Sequence, residues 1–590
     1  MALLSFYGGV GKIGSTKVLV EQDGWRVLLD LGLSIPDQHQ LLQPSLRLRP
    51  GTELATRLRL GEAPRIPRLY RASALEGLGL EGGADGRTAL FISHCHIDHM
   101  GLVGWVDPGV PIYAAPESAR MVEALELAGL GLEGGAPRLL PMAEDEVVEV
   151  GPLQVERVTV DHDVPGASGY LVRTDEGVVA YSGDIRLHGR HPERTMRFAS
   201  RAAGAAALVI EGTSLSGDPA HVPSSEASVD EAYDRVLAAT PGLLLQTLYS
   251  RDTERIQAFT DIAARHGRQV LWPAPLAKFL RAYGLQDVRV LDDEAMADAA
   301  SSPESFAVQV AVAELDRLLE LPLGPGSVFV HANGEPLGPF HQPGWDLLQA
   351  WLRHLHVPWY SVGTTGHVTP ADIDRVVEVV SPATVYPVHT LEPYRLTPAP
   401  GTRRALPEYG RHYRVGLEKP PRPSPAAPGH SPPVAPRPTV CVDLDSTLAD
   451  TRQRHHMVLP GDQRDDTDWV AYSLACEADD PIEGTCHLVR MLSADHRIVV
   501  LSRRDEAARE LTTQWLERHR VPFDELILGG VDGIPADQHE FKVHHLRALA
   551  ERGEKVVLMV DDLPGLDAAV ADAGLGVPVL RVQPPYSLQG

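Results

Sequence analysis

Cysteine is scarce: Cys95, Cys441, Cys476 and Cys486 are the only four in 590 residues, and none stands in a paired spacing. That argues against a disulfide framework or a thiolate zinc site and fits a reducing, cytoplasmic setting. No uninterrupted apolar run approaches the ~20 residues that cross a bilayer, so no membrane partner is expected. The opening MALLSFYGGVGKIGSTKVLVEQ lacks a basic region and turns glycine-rich at once, unlike a secretory signal. Positive charge is in deficit as well. A formal net charge of −25 gives no global attraction for nucleic acid, although a local basic groove or bound metal ions can still hold phosphates. A Gly-x4-Gly-Lys-Ser/Thr loop is missing, which removes a P-loop kinase.

What is present reads as ordinary globular protein, 43% hydrophobic and 23% charged. The length exceeds the roughly 250–300 residues at which one core stops growing, so at least two domains are expected. From about 417 to 438 runs LEKPPRPSPAAPGHSPPVAPRP, a stretch that favours extended polyproline II and serves as a spacer. Before it, STKVLVEQ and WRVLLDLG look like paired strands, and ALFISH, QVERVTV and GVVAYSGD are β-rich runs ending in polar residues. Between 242 and 272 the pattern becomes strand, helix, strand, an α/β unit inside a larger α/β chain. After the spacer, TVCVDLD, RIVVLS and VVLMVDD alternate with helical stretches.

The strongest chemical signal is Ser93-His94-Cys95-His96-Ile97-Asp98-His99, directly after the run ALFI. Three imidazoles and a carboxylate so close together would be costly in a core but suit a turn around divalent cations, whose ligands they are. His162 follows the strand QVERVTV, Asp184 closes VVAYSGD, and His389 ends ATVYPVH. Each alone reads as a strand-end polar residue; together they supply a second cation. His94, His96 and His162 would hold one metal, Asp98, His99 and His389 the other, with Asp184 bridging.

This order of motifs resembles the metallo-β-lactamase superfamily, and more narrowly its β-CASP nucleases of the bacterial ribonuclease J type. GGVGKIGST is similar to that family's opening, Glu211 in EGTS to its motif A, His367 in Thr365-Gly366-His367 to motif B, and His389 in PVHT to motif C. The resemblance covers roughly residues 3–400. It implies an αββα sandwich in two parts, 1–215 and 351–415, around a β-CASP insertion at 216–350. It further implies two Zn²⁺ or Mn²⁺ ions ~3.5–4 Å apart that activate water for attack on a phosphodiester. Asp98 would orient or deprotonate that water, and His367 would protonate the leaving oxygen, oriented by Glu211. Hydroxyls and glycines in Ser361-Val-Gly-Thr-Thr-Gly-His367 let Ser361, Thr364 and Thr365 approach a phosphate; the same run also reads as a plain strand-to-helix turn. His389 favours RNA over single-stranded DNA as the substrate. The segment at 35–86 and the early end near 415 depart from the family, and a homodimer is one assembly that the resemblance allows.

The segment after the 416–438 linker carries Asp443-Leu444-Asp445-Ser446-Thr447 at a strand end, where ligands of parallel sheets bind. Ser502 ends RIVVLS, Lys542 lies in FKVHHL, and Asp561-Asp562 end VVLMV. That order resembles the haloacid dehalogenase phosphatases, whose Rossmann-like domain would occupy 439–590. The surrounding residues are similar to the phosphatase domain of polynucleotide kinase–phosphatases, except that Ser446 stands where Gly is usual and Leu563 where Arg is common. The resemblance makes Asp443 the nucleophile, Asp445 the general acid and base, Ser502 and Lys542 phosphate ligands, and Asp443, Asp561 and Asp562 holders of Mg²⁺.

The expectation is therefore an α/β, two-site enzyme: a metal-dependent ribonuclease fused to a phosphatase of nucleic-acid ends or nucleotides. The alternative is a small-ester or thioester metallo-hydrolase fused to a small-molecule phosphatase, which needs neither Glu211, the Thr-Gly-His motif nor the insertion. A non-catalytic scaffold is the third reading.

Overall fold

The computed structural model describes residues 1–34, 48–216, 223–310, 312–334, 342–416, 438–457, 469–493, 496–529 and 538–582. The chain divides into two compact units, Met1–Pro425 and Ala426–Gly590. Nearly all of the proline-rich stretch between them, 417–437, lies outside the described residues.

The first unit is built on two seven-stranded sheets. One runs His412–Arg414, Ala2–Gly8, Lys17–Gln22, Trp25–Leu29, Thr88–Phe91, Ile112–Ala114, Leu139–Pro141. The other runs Arg403–Arg404, Thr384–Val388, Ala207–Glu211, Gly177–Tyr181, Ser168–Thr174, Leu153–Thr159, Val147–Val150. Alternate residues of the first sheet, such as Phe6, Val18, Val20 and Leu29, meet Val155, Tyr170, Val172 and Val209 of the second in a shared apolar layer. Their opposite faces are covered by helices: Pro116–Ala128 lies against the first sheet, Pro192–Arg201 and Pro370–Val380 against the second. The central strand Ala207–Glu211 is buried along its whole length, as a parallel strand covered on both faces should be.

Between Glu211 and Thr384 the chain builds a third sheet of six parallel strands, Arg289–Val290, Gln269–Trp272, Phe306–Gln309, Leu244–Leu248, Val328–Ala332 and Trp359–Ser361. Its strand Trp359–Ser361 pairs with Val328–Ala332, and helix Gln342–His354 packs in the same core, so the return to the sandwich begins after Ser361 rather than at 351. Helix Ala274–Tyr283 packs on helix Pro116–Ala128, which joins this insertion to the sandwich through one continuous core. Of the departing stretch 35–86, residues 48–86 are described: Leu54, Leu58, Ile66, Leu69 and Tyr70 bury themselves in that same core.

The second unit holds five parallel strands ordered Glu525–Gly529, Arg497–Asp505, Thr439–Val442, Val556–Asp561, Val579–Arg581. The first strand in sequence is central and the order reverses there, which creates a crevice at its carboxyl end. A short pair, Ala449–Asp450 with Asp480–Pro481, lies apart from that sheet. All four cysteines are buried and free. Among the described residues no helix is long and apolar enough to cross a membrane.

Candidate metal centre and a second acidic site

Strand Thr88–Phe91 ends in the sandwich, and the turn after it carries Ser93 to His96 before the single helical turn Ile97–Met100 presents Asp98 and His99. Gly32 lies against the Asp98 carbonyl so closely that a β-carbon there would overlap it, which explains the glycine. His162 follows strand Leu153–Thr159, Asp184 follows Gly177–Tyr181, and His389 follows Thr384–Val388. All three strands belong to the second sheet, so one edge of the sandwich gathers every one of these groups.

Ligand atoms of His94, His96, His162 and Asp184 lie within 4.8 Å of one another, as do those of Asp98, His99 and His389. Asp184 also sits within that distance of Glu211, His367 and His389. The donor set fits two divalent cations: Nε2 of His94, His96 and His99 and Oδ2 of Asp184 are buried with no hydrogen-bond partner. Burial, with the neighbouring imidazoles, depresses the His94 pKa well below the ordinary value, and burial pushes His96 down to about 3. Burial also opposes charge on His99, but Asp184, Asp98 and Asp30 outweigh it and raise that pKa. Asp98 and Asp184 are disfavoured as anions by burial, yet the surrounding histidines hold both below the carboxylate range.

The other ring nitrogens are engaged behind these atoms. His99 Nδ1 is 2.7 Å from Asp30, His389 Nδ1 is 2.7 Å from the Thr213 hydroxyl, and His162 Nδ1 is 2.6 Å from the Gly366 carbonyl. Such contacts fix ring orientation and tautomer. Asp30 also accepts from the Ser93 amide and hydroxyl at 2.6 Å and from the Tyr181 hydroxyl at 2.5 Å. Both Asp30 and His389 adopt left-handed backbone, φ 60° and 56°, a conformation rare outside glycine that the packing around them enforces.

His367 Nδ1 lies 3.2 Å from Glu211 Oε1. Burial alone would lower His367, but Glu211 and then Asp184 and Asp163 carry its pKa up to about 10. The His367 amide donates to the Thr365 hydroxyl at 3.1 Å, and Glu211 additionally accepts from the amides of Ile185 and Thr213 at 3.1 Å. Thr364 Oγ1 is buried without a partner, Thr365 is exposed, and Ser361 is exposed at the end of its strand. Asp163, which sequence reasoning did not single out, stands 3.1 Å from His162 and 3.5 Å from His96. Its carboxylate presses on Gly366, where a β-carbon would come within 2.6 Å.

Residues 77–244 match the family model described as Beta-lactamase superfamily domain. The chain is 23% identical over 419 residues to ribonuclease J of Thermus thermophilus, an alignment covering 65% of this chain and 67% of that protein. To ribonuclease J of Pyrococcus abyssi it is 23% identical over 417 residues, covering 65% of this chain and 88% of the relative. A crystal structure described as a protein of unknown function from Enterococcus faecalis V583 superposes with a TM-score of 0.60 at 27% identity, over 70% of this chain and 99% of the other. The fraction of each ribonuclease J relative that the chain spans varies widely, down to 33% for the one from Sinorhizobium meliloti.

The second unit gathers Asp443, Asp561 and Asp562 with ligand atoms within 4.8 Å. Asp443 and Asp561 are each buried, and Lys542 forms an ion pair with Asp443, reaches Asp561 at 3.3 Å, and donates to the Leu501 carbonyl at 2.7 Å. Burial, with Asp561 and Asp562, raises the Asp443 pKa against the opposing pull of Lys542. Asp445 differs. Burial would raise it, but Arg504 and Arg454 hold it down at about 2, with Arg504 Nη2 2.7 Å away. Both guanidiniums also bond Asp479, at 2.9 and 2.8 Å. The sequence reading named neither arginine nor Asp479; they lie on separate elements, and nothing in their spacing marks them. Ser502 is 3.4 Å from Asp445 and accepts from the Arg504 amide at 3.1 Å. Thr447 donates to Asp562 at 3.0 Å and accepts from its amide at 3.0 Å.

Proposed function

We propose that the first unit is a β-CASP-type nuclease that hydrolyses phosphodiester bonds in single-stranded RNA. The observation that carries this reading is the pair of buried Glu211 and half-buried His367 set beside a seven-residue donor cluster, together with the similarity to ribonucleases J. A small-ester hydrolase has no use for that pair. His94, His96 and His162 would hold one divalent cation, Zn²⁺ or Mn²⁺, and Asp98, His99 and His389 a second, with Asp184 shared. When bound, two such ions supply a nucleophile at neutral pH and neutralise charge on the transferring phosphoryl group. Asp98, kept ionised by its histidines, accepts a proton from the attacking water. His367, kept protonated by Glu211, donates its proton to the departing ribose oxygen. Thr364 offers an unpartnered buried hydroxyl to a phosphate oxygen, and Thr365 and Ser361 stand beside it on the same segment.

The second unit we read as a phosphomonoesterase of the haloacid dehalogenase kind acting on nucleic-acid ends or nucleotides. Asp443, Asp561 and Asp562 would hold Mg²⁺, with Asp443 poised to attack phosphorus. Lys542 and Ser502 would take the phosphate, and Asp445, the proposed general acid and base, is held ionised between two guanidiniums. The chain would then be a cytoplasmic enzyme with two separate active sites.

The test is cleavage of end-labelled single-stranded RNA and DNA with Mn²⁺ or Zn²⁺ by wild type, His96→Ala and Asp443→Asn, with release of terminal phosphate measured alongside. RNA cutting by wild type and Asp443→Asn but not His96→Ala is the expected result. Bound metal without any cutting of nucleic acid would overturn the nuclease reading.

A further inference from the structure

Away from the donor cluster, one edge of the sandwich gathers several cations in a chain whose net charge is −25. The edge strands of the two sheets, Arg403–Arg404 and His412–Arg414, border a cavity of about 310 Å³ lined by Tyr386, Arg403, Arg411, His412, Tyr413 and Arg414. Arg403, Arg411, His412 and Arg414 are exposed. Arg411 pairs with Glu408 and stands over the Tyr413 ring at 5.5 Å. Arg403 lines the cavity beside Tyr386, and among the described residues neither Arg403 nor Arg414 has a carboxylate partner. Tyr386 and Tyr413 meet edge to face at 5.3 Å with Phe6 against both, so the cavity rests on the packed core of the sandwich.

The register ties this cleft to the metal centre. Arg414 pairs with Leu3, Tyr413 with Leu4 and His412 with Ser5 on strand Ala2–Gly8. Further along, Tyr409 bridges Phe6 and its half-exposed ring contacts Tyr7 at 5.7 Å. The strand then leads to Gly9, whose carbonyl accepts from the amide of His389 at 2.7 Å. From Leu3 to Gly9 the rise is roughly 20 Å at ~3.3 Å per residue.

We infer that the Arg403–Arg411–Arg414 cleft is a second binding site for the phosphodiester backbone of a single-stranded nucleic acid, set apart from the metal centre by about the length of strand Ala2–Gly8. Unpaired guanidiniums neutralise phosphates without reading sequence. At ~3.4 Å per stacked nucleotide, a strand needs about six nucleotides to reach both places. The inference rests on the nuclease reading above.

The experiment compares wild type with Arg403→Glu/Arg414→Glu and Arg403→Lys/Arg414→Lys in the full chain. Fluorescence anisotropy would follow a labelled oligoribonucleotide of about 20 nucleotides across a salt series, and cleavage of that strand would be set against cleavage of a trinucleotide. The glutamate pair should weaken binding about tenfold and flatten the slope of log affinity against log salt by about 1.4, from two lost phosphate contacts. The ratio of kcat/KM on the long strand to that on the trinucleotide should fall about tenfold, through KM, and the lysine pair should recover most of both. Wild-type cleavage with affinity, salt slope and ratio all unmoved in the glutamate pair overturns the cleft while leaving the nuclease reading intact. Polyglutamate displacing the RNA from wild type at equal charge would assign the cleft to acidic peptides and overturn it too. A wild type that neither binds nor cuts RNA sinks both.

Discussion

Glu211 Oε1 and His367 Nδ1 stand 3.2 Å apart across 156 positions of sequence, with the whole six-stranded insertion folded between them. The strand end of the sandwich supplies the carboxylate; the segment leaving the insertion supplies the imidazole. His367→Ala should lower kcat on RNA by about a thousandfold, inside the ~10²–10⁴ range of general acid catalysis, while bound metal per chain stays at the wild-type value. Elemental analysis alongside single-turnover kinetics checks both. Loss of metal together with activity would make His367 a ligand instead.

Asp30 holds the second prediction. Its carboxylate gathers the His99 ring, the Ser93 amide and hydroxyl, and the Tyr181 hydroxyl. Asp30→Asn keeps the shape but gives His99 Nδ1 a weaker acceptor and a competing donor. Metal affinity should drop about 10–100-fold, as when other partners behind a ligand are removed. Isothermal titration of chelated protein with Zn²⁺ measures it, and an unchanged Kd would make Asp30 a packing residue.

How much of this was legible in the sequence depended on spacing. His94, His96, Asp98 and His99 fall inside one turn, so their chemistry shows in the string itself; His162, Asp184 and His389 were found as strand ends and arrive at the same edge of the sandwich. Asp30 escaped because it ends a strand like many other aspartates, and its partners lie 63, 69 and 151 positions away. Arg454 and Arg504 escaped because surface arginines are common and only folding buries these two around Asp445. The limit of the insertion was misplaced for a different reason: Trp359–Ser361 is a three-residue edge strand whose side chains are exposed, so no apolar period announces it.

Lys17 is a buried amine that forms no ion pair among the described residues, donating to the Ser15 carbonyl at 3.0 Å and hydroxyl at 2.6 Å. Burial, helped by Lys12, brings its pKa down to about 7. An unfolded chain keeps that proton up to about 10.4, so between these values the unfolded state binds more protons and stability contributed by this site rises with pH. Lys17→Met should therefore stabilise the first unit near pH 7, and its advantage should shrink as pH approaches about 10, by up to roughly 4 kcal/mol. Urea unfolding of both proteins at the two pH values reads the difference. An advantage that does not change with pH would mean Lys17 is charged in the folded protein.

Lys542 carries the last prediction, in the second unit. Its ammonium lies between Asp443 and Asp561, two buried carboxylates that with Asp562 form one cluster. Removing one partner of a buried pair leaves the other uncompensated and typically costs about 3–5 kcal/mol. Lys542→Met should therefore lower the thermal midpoint of this unit strongly in chelator. The same carboxylates are the ones proposed to hold Mg²⁺, and a cation binding the folded form alone adds about 2.7 kcal/mol at a hundred times its Kd. Saturating Mg²⁺ should then restore a larger part of the midpoint in Lys542→Met than it adds to wild type, because in the variant it meets charge that Lys542 otherwise neutralises. Equal shifts in both proteins would place the ion away from Asp443 and Asp561. No shift in either would remove Mg²⁺ from the site, and with it the phosphomonoesterase reading of the second unit.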